Sequence, residues 1–211
     1  MNYEMLNNNK VFLQGVIETA PEYNHTVKDE KFYTLTLRVK RLSGQEDFIP
    51  VTVSERLMGV TSFNVGEKLA INGQFRSYNK LVDNKSKLVL SVFVRDVCEY
   101  QEGANTNEIT LSGYVCKPPI YRTTPFNRQI CDVLLAVNRS YKKSDYIPCI
   151  IWGRNAVSVS NMEVGDPITI TGRIQSREYV KKLDEETSVT MVAYEVSVNS
   201  IKEINSDYDV D

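Results

Sequence analysis

The stretch Asp145-Tyr-Ile-Pro-Cys-Ile-Ile-Trp-Gly-Arg154 decides the fold, because its opening Asp-(aromatic)-Ile-Pro frame occurs twice in the chain. Asp47-Phe-Ile-Pro-Val51 carries the same frame 98 positions earlier. Two further pairs of segments repeat at nearly the same distance: 9–15 with 107–113, which are 98 positions apart, and 73–77 with 172–176, which are 99 positions apart. Solenoid repeats run at roughly 20–50 residues. A period this long therefore predicts a duplicated domain.

Length and composition agree with two globular domains. The 211 residues suit two units of about 100 residues each, which is close to the commonest domain size. Hydrophobic residues make up 42% of the chain and charged residues 25%, as is usual for a globular protein. We predict a first domain at 1–100, a linker at 101–106, a second domain at 107–204 and a short acidic tail at 205–211.

Charge and cysteine usage exclude several classes of protein. The formal net charge of -2 neither supports nor excludes an anionic partner. The four cysteines lack the paired spacing of a zinc site, and His25 is the only histidine, so we expect no metal and no other cofactor. Unpaired thiols fit a reducing compartment. The chain has no apolar run near the ~20 residues of a membrane span, so we expect a cytoplasmic protein without a membrane partner.

Each copy has the pattern of an all-β domain with one short helix. Segments such as Thr34-Leu-Thr-Leu-Arg-Val39 alternate with period two, which is typical of a strand with one buried face. Five strands with a helix between the third and fourth are the plan of an OB-fold, so we predict two tandem five-stranded OB-fold barrels. The predicted strands are 10–17, 34–39, 48–53, 69–78 and 87–97, then 108–116, 130–139, 146–152, 168–179 and 188–198, with helical stretches at 55–62 and 154–162.

Three blocks of the second copy carry a resemblance to a known family. Leu135-Ala-Val-Asn-Arg-Ser-Tyr141, the Asp145 to Arg154 stretch, and Gly172-Arg-Ile-Gln-Ser-Arg-Glu-Tyr179 look like successive signature blocks of one OB domain. They resemble the bacterial single-stranded DNA-binding proteins, here as a tandem variant with two OB domains in one chain. The resemblance extends over about 5–99 and 107–203, more loosely in the first copy, as in Leu37-Arg-Val-Lys-Arg41.

The resemblance implies which aromatic side chains would stack on DNA bases. Tyr141, Tyr146, Trp152 and Tyr179 occupy the positions of the family's stacking rings. Aromatic faces can stack with unpaired bases whatever their sequence, for roughly 1–3 kcal/mol per base. Their counterparts in the first copy are Leu42, Phe48, Ser54 and Lys80, although Tyr78 could substitute near Lys80. We therefore expect the second copy to supply most of the stacking.

Two of these rings have competing interpretations. Trp152 could instead plug the barrel or pack at a subunit contact, as strand aromatics often do. Tyr179 is predicted on a loop between the last two strands, beside Arg177 and Lys181-Lys182, where base stacking is the better interpretation.

Cations interleave with these aromatic blocks, as phosphate contacts along a groove would require. Scattered Lys and Arg are otherwise ordinary solvated surface, so the interleaving is what singles them out. In the second copy the predicted phosphate contacts are Arg139, Lys142, Arg154, Arg173 and Arg177. In the first copy they are Arg41, Arg56, Arg76 and Lys80.

The resemblance implies a non-catalytic protein that binds and protects single-stranded DNA during replication, recombination or repair, near the bacterial nucleoid. Four OB domains per assembly are usual in the family, so a homodimer of this chain would reach that number. The family's recruitment peptide for replication or repair proteins has no close match in Asn205-Ser-Asp-Tyr-Asp-Val-Asp211, which is acidic but short.

Two other functions remain to be weighed. An OB-fold accessory or primosome-type protein of a plasmid, phage or mobile element would act mainly through protein contacts, and the sparse aromatic set of the first copy favours it. A nuclease would need converging carboxylates for a metal or a general base. The sequence repeats no such carboxylate group and offers one histidine, so we predict no enzyme activity.

Overall fold

The computed structural model describes residues 7–82, 84–103, 106–182 and 187–203. The predicted tail at 205–211 and part of the predicted linker lie outside the described residues. We call β1–β6 with α1 the first half, and β7–β12 with α2 the second half.

The first half has six strands and one short helix. Hydrophobic residues alternate with polar ones along the strands, so one face of each strand enters the core and the other meets solvent. The elements are β1 (Asn9–Ile17), β2 (Glu22–Val27), β3 (Glu30–Lys40), β4 (Glu46–Ser54), α1 (Glu55–Met58), β5 (Lys68–Val82) and β6 (Lys85–Cys98).

The second half repeats this order. A 3-10 turn at Ser140–Lys142 separates its third and fourth strands. The elements are β7 (Asn107–Val115), β8 (Ile120–Thr123), β9 (Gln129–Arg139), β10 (Lys143–Trp152), α2 (Arg154–Val159), β11 (Pro167–Lys182) and β12 (Ser188–Glu203).

The strand pairings of each half run in a circuit. In the first half β1 pairs with β3, β3 with β4, β4 with β6 in parallel, β6 with β5, and β5 with β1. The second half repeats the circuit through β7, β9, β10, β12 and β11. The parallel contact is short in both halves, with two residue pairs in the first and three in the second. The predicted OB-type strand arrangement is thus present twice.

A repeated asparagine and a repeated glycine hold this arrangement. The Asn9 side chain donates to the Phe75 carbonyl and accepts from the Phe75 N–H at 2.8 and 2.9 Å, and Asn107 does the same with Ile174 at 2.7 and 2.9 Å. At Gly113 a Cβ would lie 2.4 Å from the Ala136 carbonyl oxygen, so the crossing of β7 and β9 admits only glycine.

The five predicted strands are present in each half, and each half also has one short strand that was not predicted. β2 and β8 form antiparallel arms with β3 and β9, and every residue of both arms is exposed. An arm whose two faces both meet solvent has no period-two hydrophobic pattern, so no strand was predicted there. Both helices are also shorter than predicted. Among the described residues, no helix has the length and apolar character needed to cross a membrane.

The two halves join through β1 and β7, which pair antiparallel and make one continuous 12-stranded sheet. Val11 pairs with Ile109, the residue that corresponds to it in the repeat. A local two-fold axis therefore passes between these residues. Any contact that one half makes to the other should recur with the roles of the two halves exchanged.

Candidate nucleic-acid interface

The Asp-(aromatic)-Ile-Pro frame of the second half binds the first half. Asp145 is fully buried, and its Oδ1 accepts the Ser77 N–H at 2.6 Å. The Tyr146 N–H donates to the Ser77 Oγ at 2.7 Å. The segment 73–77, which is one of the repeated segments, thus contacts this frame across the junction between the two halves.

The same contact recurs with the halves exchanged, as the two-fold axis requires. Asp47 is fully buried, and its Oδ1 accepts the Ser176 N–H at 2.8 Å. The Phe48 N–H donates to the Ser176 Oγ at 3.2 Å. The repeated motifs therefore lock the halves together, in addition to building each half.

We call each of these two contacts between the halves a lock. Each lock also holds one of the predicted phosphate-binding cations. Arg41 donates to both carboxylate oxygens of Asp47 at 2.7 and 2.6 Å, and these hydrogen bonds raise the pKa of Arg41. The Arg139 Nε lies 3.2 Å from the Asp145 Oδ2, although the pair lacks hydrogen-bond geometry. Burial raises the pKa of Asp145. Arg41 and Arg139 are thus anchored on buried carboxylates at the junction.

Two surface grooves lie over the two locks, and each is lined by both halves. The first, which we call the basic groove, brings together Gln74, Arg76, Ser77, Tyr78, Asn79, Leu88 and Arg95 with Arg139, Tyr141, Lys143, Ser144 and Tyr146. The second, which we call the neutral groove, brings together Arg41, Gln45, Glu46 and Phe48 with Gln175, Ser176, Arg177, Glu178, Val192 and Tyr194. Aromatic rings that were predicted to bind DNA within one domain therefore line a groove together with residues of the other domain.

Trp152 lies at the surface at the end of β10, with 37% of its area exposed. Its indole N–H donates to the Ser197 Oγ on the adjacent β12 at 3.2 Å. The hydrogen bond fixes the ring while part of it stays open to solvent. Trp152 therefore does not plug the interior, which was one of its two alternative interpretations.

Tyr141 and Tyr179 stand at the edges of the second half. Tyr141 occupies the 3-10 turn with a φ of 63° and is 80% exposed. Tyr179 belongs to the β11–β12 hairpin, where it pairs with Met191, so its predicted placement on a loop was wrong. The guanidinium carbon of Arg177 lies 5.9 Å from the centroid of the Tyr179 ring. The long strands carry this hairpin beyond the predicted strand end, and Tyr78 and Lys80 lie exposed on the matching hairpin of the first half.

The first half contains a ring cluster that the sequence did not indicate. The His25 ring stacks on Phe32 at 5.0 Å, and the Phe32 and Phe93 centroids lie 5.6 Å apart. The Arg76 guanidinium carbon is 3.9 Å from the Phe93 centroid. The cluster links the exposed arm β2 to the core edge at β6. Each ring alone matched an ordinary strand residue.

Phe93 of this cluster lies at the same strand border as Trp152 in the second half. Position 54, the counterpart of Trp152, is serine, and Phe93 takes the place that Ser197 occupies in the second half, as the strand registers show. At the border between the fourth strand and the last strand, the second half carries its aromatic ring on the fourth strand and the first half carries it on the last strand. Matching the repeat one strand at a time cannot reveal such an exchange.

The remaining predicted cations differ in their surroundings. Lys142 and Arg154 are exposed, whereas Arg56 forms an ion pair with Glu30. Arg76 and Arg173 are half-buried at the junction, and among the described residues neither Nε has a hydrogen-bond partner. Burial, with Arg95 and Arg139 nearby, lowers the pKa of Arg76 to about 10, and burial with Arg41 nearby lowers that of Arg173. The described residues contain no group of three His, Cys, Asp or Glu that could hold a metal.

Sequence comparison relates the chain to single-stranded DNA-binding proteins of Streptococcus and Bacillus. The family model described as "Single-strand binding protein family" matches residues 106–202. "Single-stranded DNA-binding protein 3" of Streptococcus agalactiae serotype V is 36% identical over 96 residues, which are 42% of this chain and 70% of that protein. "Single-stranded DNA-binding protein A" of Bacillus subtilis is 32% identical over 96 residues, 42% of this chain and 56% of that protein.

Structure comparison extends the likeness to both halves. The crystal structure of a deletion mutant of the single-stranded DNA binding protein from Thermus aquaticus superposes with a TM-score of 0.72. It covers 95% of this chain and 96% of that chain at 21% identity, so it establishes a shared fold. With the sequence relationship, these findings place the chain: it belongs to the single-strand binding protein family.

Proposed function

We propose that this chain binds single-stranded DNA with little dependence on base sequence and protects it during replication, recombination or repair. The observation that carries the proposal is the match of residues 106–202 to the single-strand binding protein family. Its relatives in Streptococcus and Bacillus are named single-stranded DNA-binding proteins. The proposed role is binding without catalysis, at the nucleoid of a bacterial cell.

The surface chemistry of the second half supports the proposal. Tyr141, Tyr146, Trp152 and Tyr179 all present exposed rings, and Lys142, Arg154 and Arg177 are exposed cations of the same half. Bases of a single strand can stack on such rings, while the cations pair with phosphates and release counterions. Neither contact depends on base identity.

Trp152 provides the test, because it is the only tryptophan in the chain. Titration with oligothymidine should quench its emission, since a base stacks on the exposed part of the ring. The binding constant should fall as salt rises, with a logarithmic slope of about -0.7 for each phosphate contact on a single strand. If at low salt the tryptophan emission does not change and the oligothymidine does not shift on a native gel, the proposal is contradicted. A duplex of the same sequence serves as the control.

We also propose that the chain works as a homodimer with four OB domains. The support is the two-domain chain itself, since two copies give the domain number expected for the family. Static light scattering at micromolar concentration should give about twice the monomer mass of 24.1 kDa. A strict monomer with and without oligothymidine would contradict the dimer and leave DNA binding as a property of one chain.

A further inference from the structure

We infer that a DNA strand passes between the two halves through the basic groove and not through the neutral groove. The inference rests on the proposed function and adds a path to it. The two grooves are related by the local two-fold axis, so their linings can be compared position by position. The basic groove has the more positive lining, and this difference in charge is the reason for assigning the strand to it.

The rims of the two grooves differ at corresponding positions. Lys143 in the basic groove corresponds to Gln45 in the neutral one, and Ser144 corresponds to Glu46. Asn79 likewise corresponds to Glu178. The described lining of the basic groove contains no acidic side chain, whereas the neutral groove has two. Phosphate groups are favoured in the first and repelled at the rim of the second.

The floors differ in the same direction. In the basic groove Arg76 and Arg95 both donate to the Gln74 side-chain oxygen, at 2.9 and 3.0 Å. Arg139 adds a third guanidinium close enough to lower the pKa of Arg76. The buried Asp145 carboxylate interacts with both Arg76 and Arg139. Arg76 and Arg139 thus place two guanidinium groups around one carboxylate, which suits a site for a phosphodiester anion.

A carboxylate, Glu195, lies beside the neutral groove. Arg173 donates to the Gln175 oxygen at 3.4 Å, and the Gln175 amide donates to Glu195 at 2.8 Å. Glu195 also lies 3.7 Å from the Arg177 Nε. Glu46, Glu178 and Glu195 therefore place negative charge at and beside the neutral groove, which disfavours a phosphate there.

Rings are placed to follow the same path. Tyr78 from the first half and Tyr146 from the second line the basic groove together, and 47% and 41% of their areas are exposed. In the neutral groove their counterparts are Arg177 and Phe48. A strand in the basic groove therefore finds one stacking surface from each half beside the guanidinium groups.

The test adds one negative charge to each groove at an exposed residue. Asn79→Glu places in the basic groove the residue that its counterpart already has, and Gln45→Glu is the charge-matched control in the neutral groove. Both side chains are exposed, so both variants should fold. Affinity is measured for two oligothymidines, one of about 8 nucleotides that fits a single OB domain and one of about 30 that must cross the junction.

Asn79→Glu should weaken binding of the long oligomer by about three- to ten-fold, the scale of one lost phosphate contact. Its affinity for the short oligomer, followed by Trp152 emission, should stay within about two-fold of wild type because that strand need not reach the junction. Gln45→Glu should leave both affinities unchanged. Equal losses in the two variants, or no loss with the long oligomer, would overturn the path while DNA binding stands. A wild-type protein that binds neither oligomer would overturn the proposed function and the path together.

Discussion

The two locks between the halves use the same residues but bond them differently. Asp47 binds Arg41 through both oxygens and accepts the Ser176 N–H, so its charge is fully engaged. Asp145 accepts the Ser77 N–H through Oδ1, while among the described residues its Oδ2 receives no hydrogen bond. The same motif therefore gives a saturated ion pair on one side and two guanidinium groups, Arg76 and Arg139, around one carboxylate on the other. The two copies keep the same Asp-(aromatic)-Ile-Pro frame but differ in the charges around it.

The largest effect we predict is on the saturated lock. Asp47→Ala should lower the free energy of unfolding by about 3–5 kcal/mol, because it leaves the largely buried Arg41 without its partner. Asp145→Ala should cost less, about 1–3 kcal/mol, since one of its oxygens already lacks a donor. Urea unfolding of both variants measures the difference. Equal losses would mean that the two locks are energetically equivalent despite their geometry.

A smaller effect separates the two long hairpins. Tyr179→Ala should weaken oligothymidine binding by about 1–3 kcal/mol, because a stacked base loses its ring. Its first-half counterpart, Lys80→Ala, removes only a charge and should reduce the salt slope by about 0.7. Fluorescence titration over a salt series distinguishes the two. Tyr179→Phe is the matched control, since it keeps the ring and should bind like wild type.

The smallest effect concerns pH. Burial raises the pKa of Asp145 in the folded protein, so folding favours its protonated form. Its stabilising contribution is therefore full below the unfolded-state pKa and declines as pH rises through the raised value. Asp145→Asn removes this titration. The difference in unfolding free energy, wild type minus variant, should decrease as pH rises from about 4. A difference that increases with pH over that range would reverse the sign and contradict a raised pKa.

Local pattern was enough to predict most of the strands. Period-two alternation located the core strands within a few residues of their observed bounds. The arms β2 and β8 were not predicted, because a strand that is exposed on both faces has no period-two hydrophobic pattern. The family was also evident from the second-copy blocks.

The site was less predictable, because its members meet across long separations. Tyr78 and Tyr146 share one groove, yet they belong to different copies of the repeat. Arg41 and Arg139 looked like free phosphate contacts because nothing in the sequence ties them to Asp47 and Asp145. The exchange of Trp152 and Ser197 for Ser54 and Phe93 appears only when the pairing of non-adjacent strands is known.

The sequence by itself determined that the chain is a duplicated OB-type protein of a single-strand binding family, because local periodicity and repeated motifs are short-range properties. Only the tertiary structure decided that the repeated Asp-(aromatic)-Ile-Pro frame grips the other copy, through Asp47 with Ser176 and Asp145 with Ser77. The physical reason is that burial and ion pairing depend on which residues the fold brings together. Those encounters also made one groove basic and the other neutral.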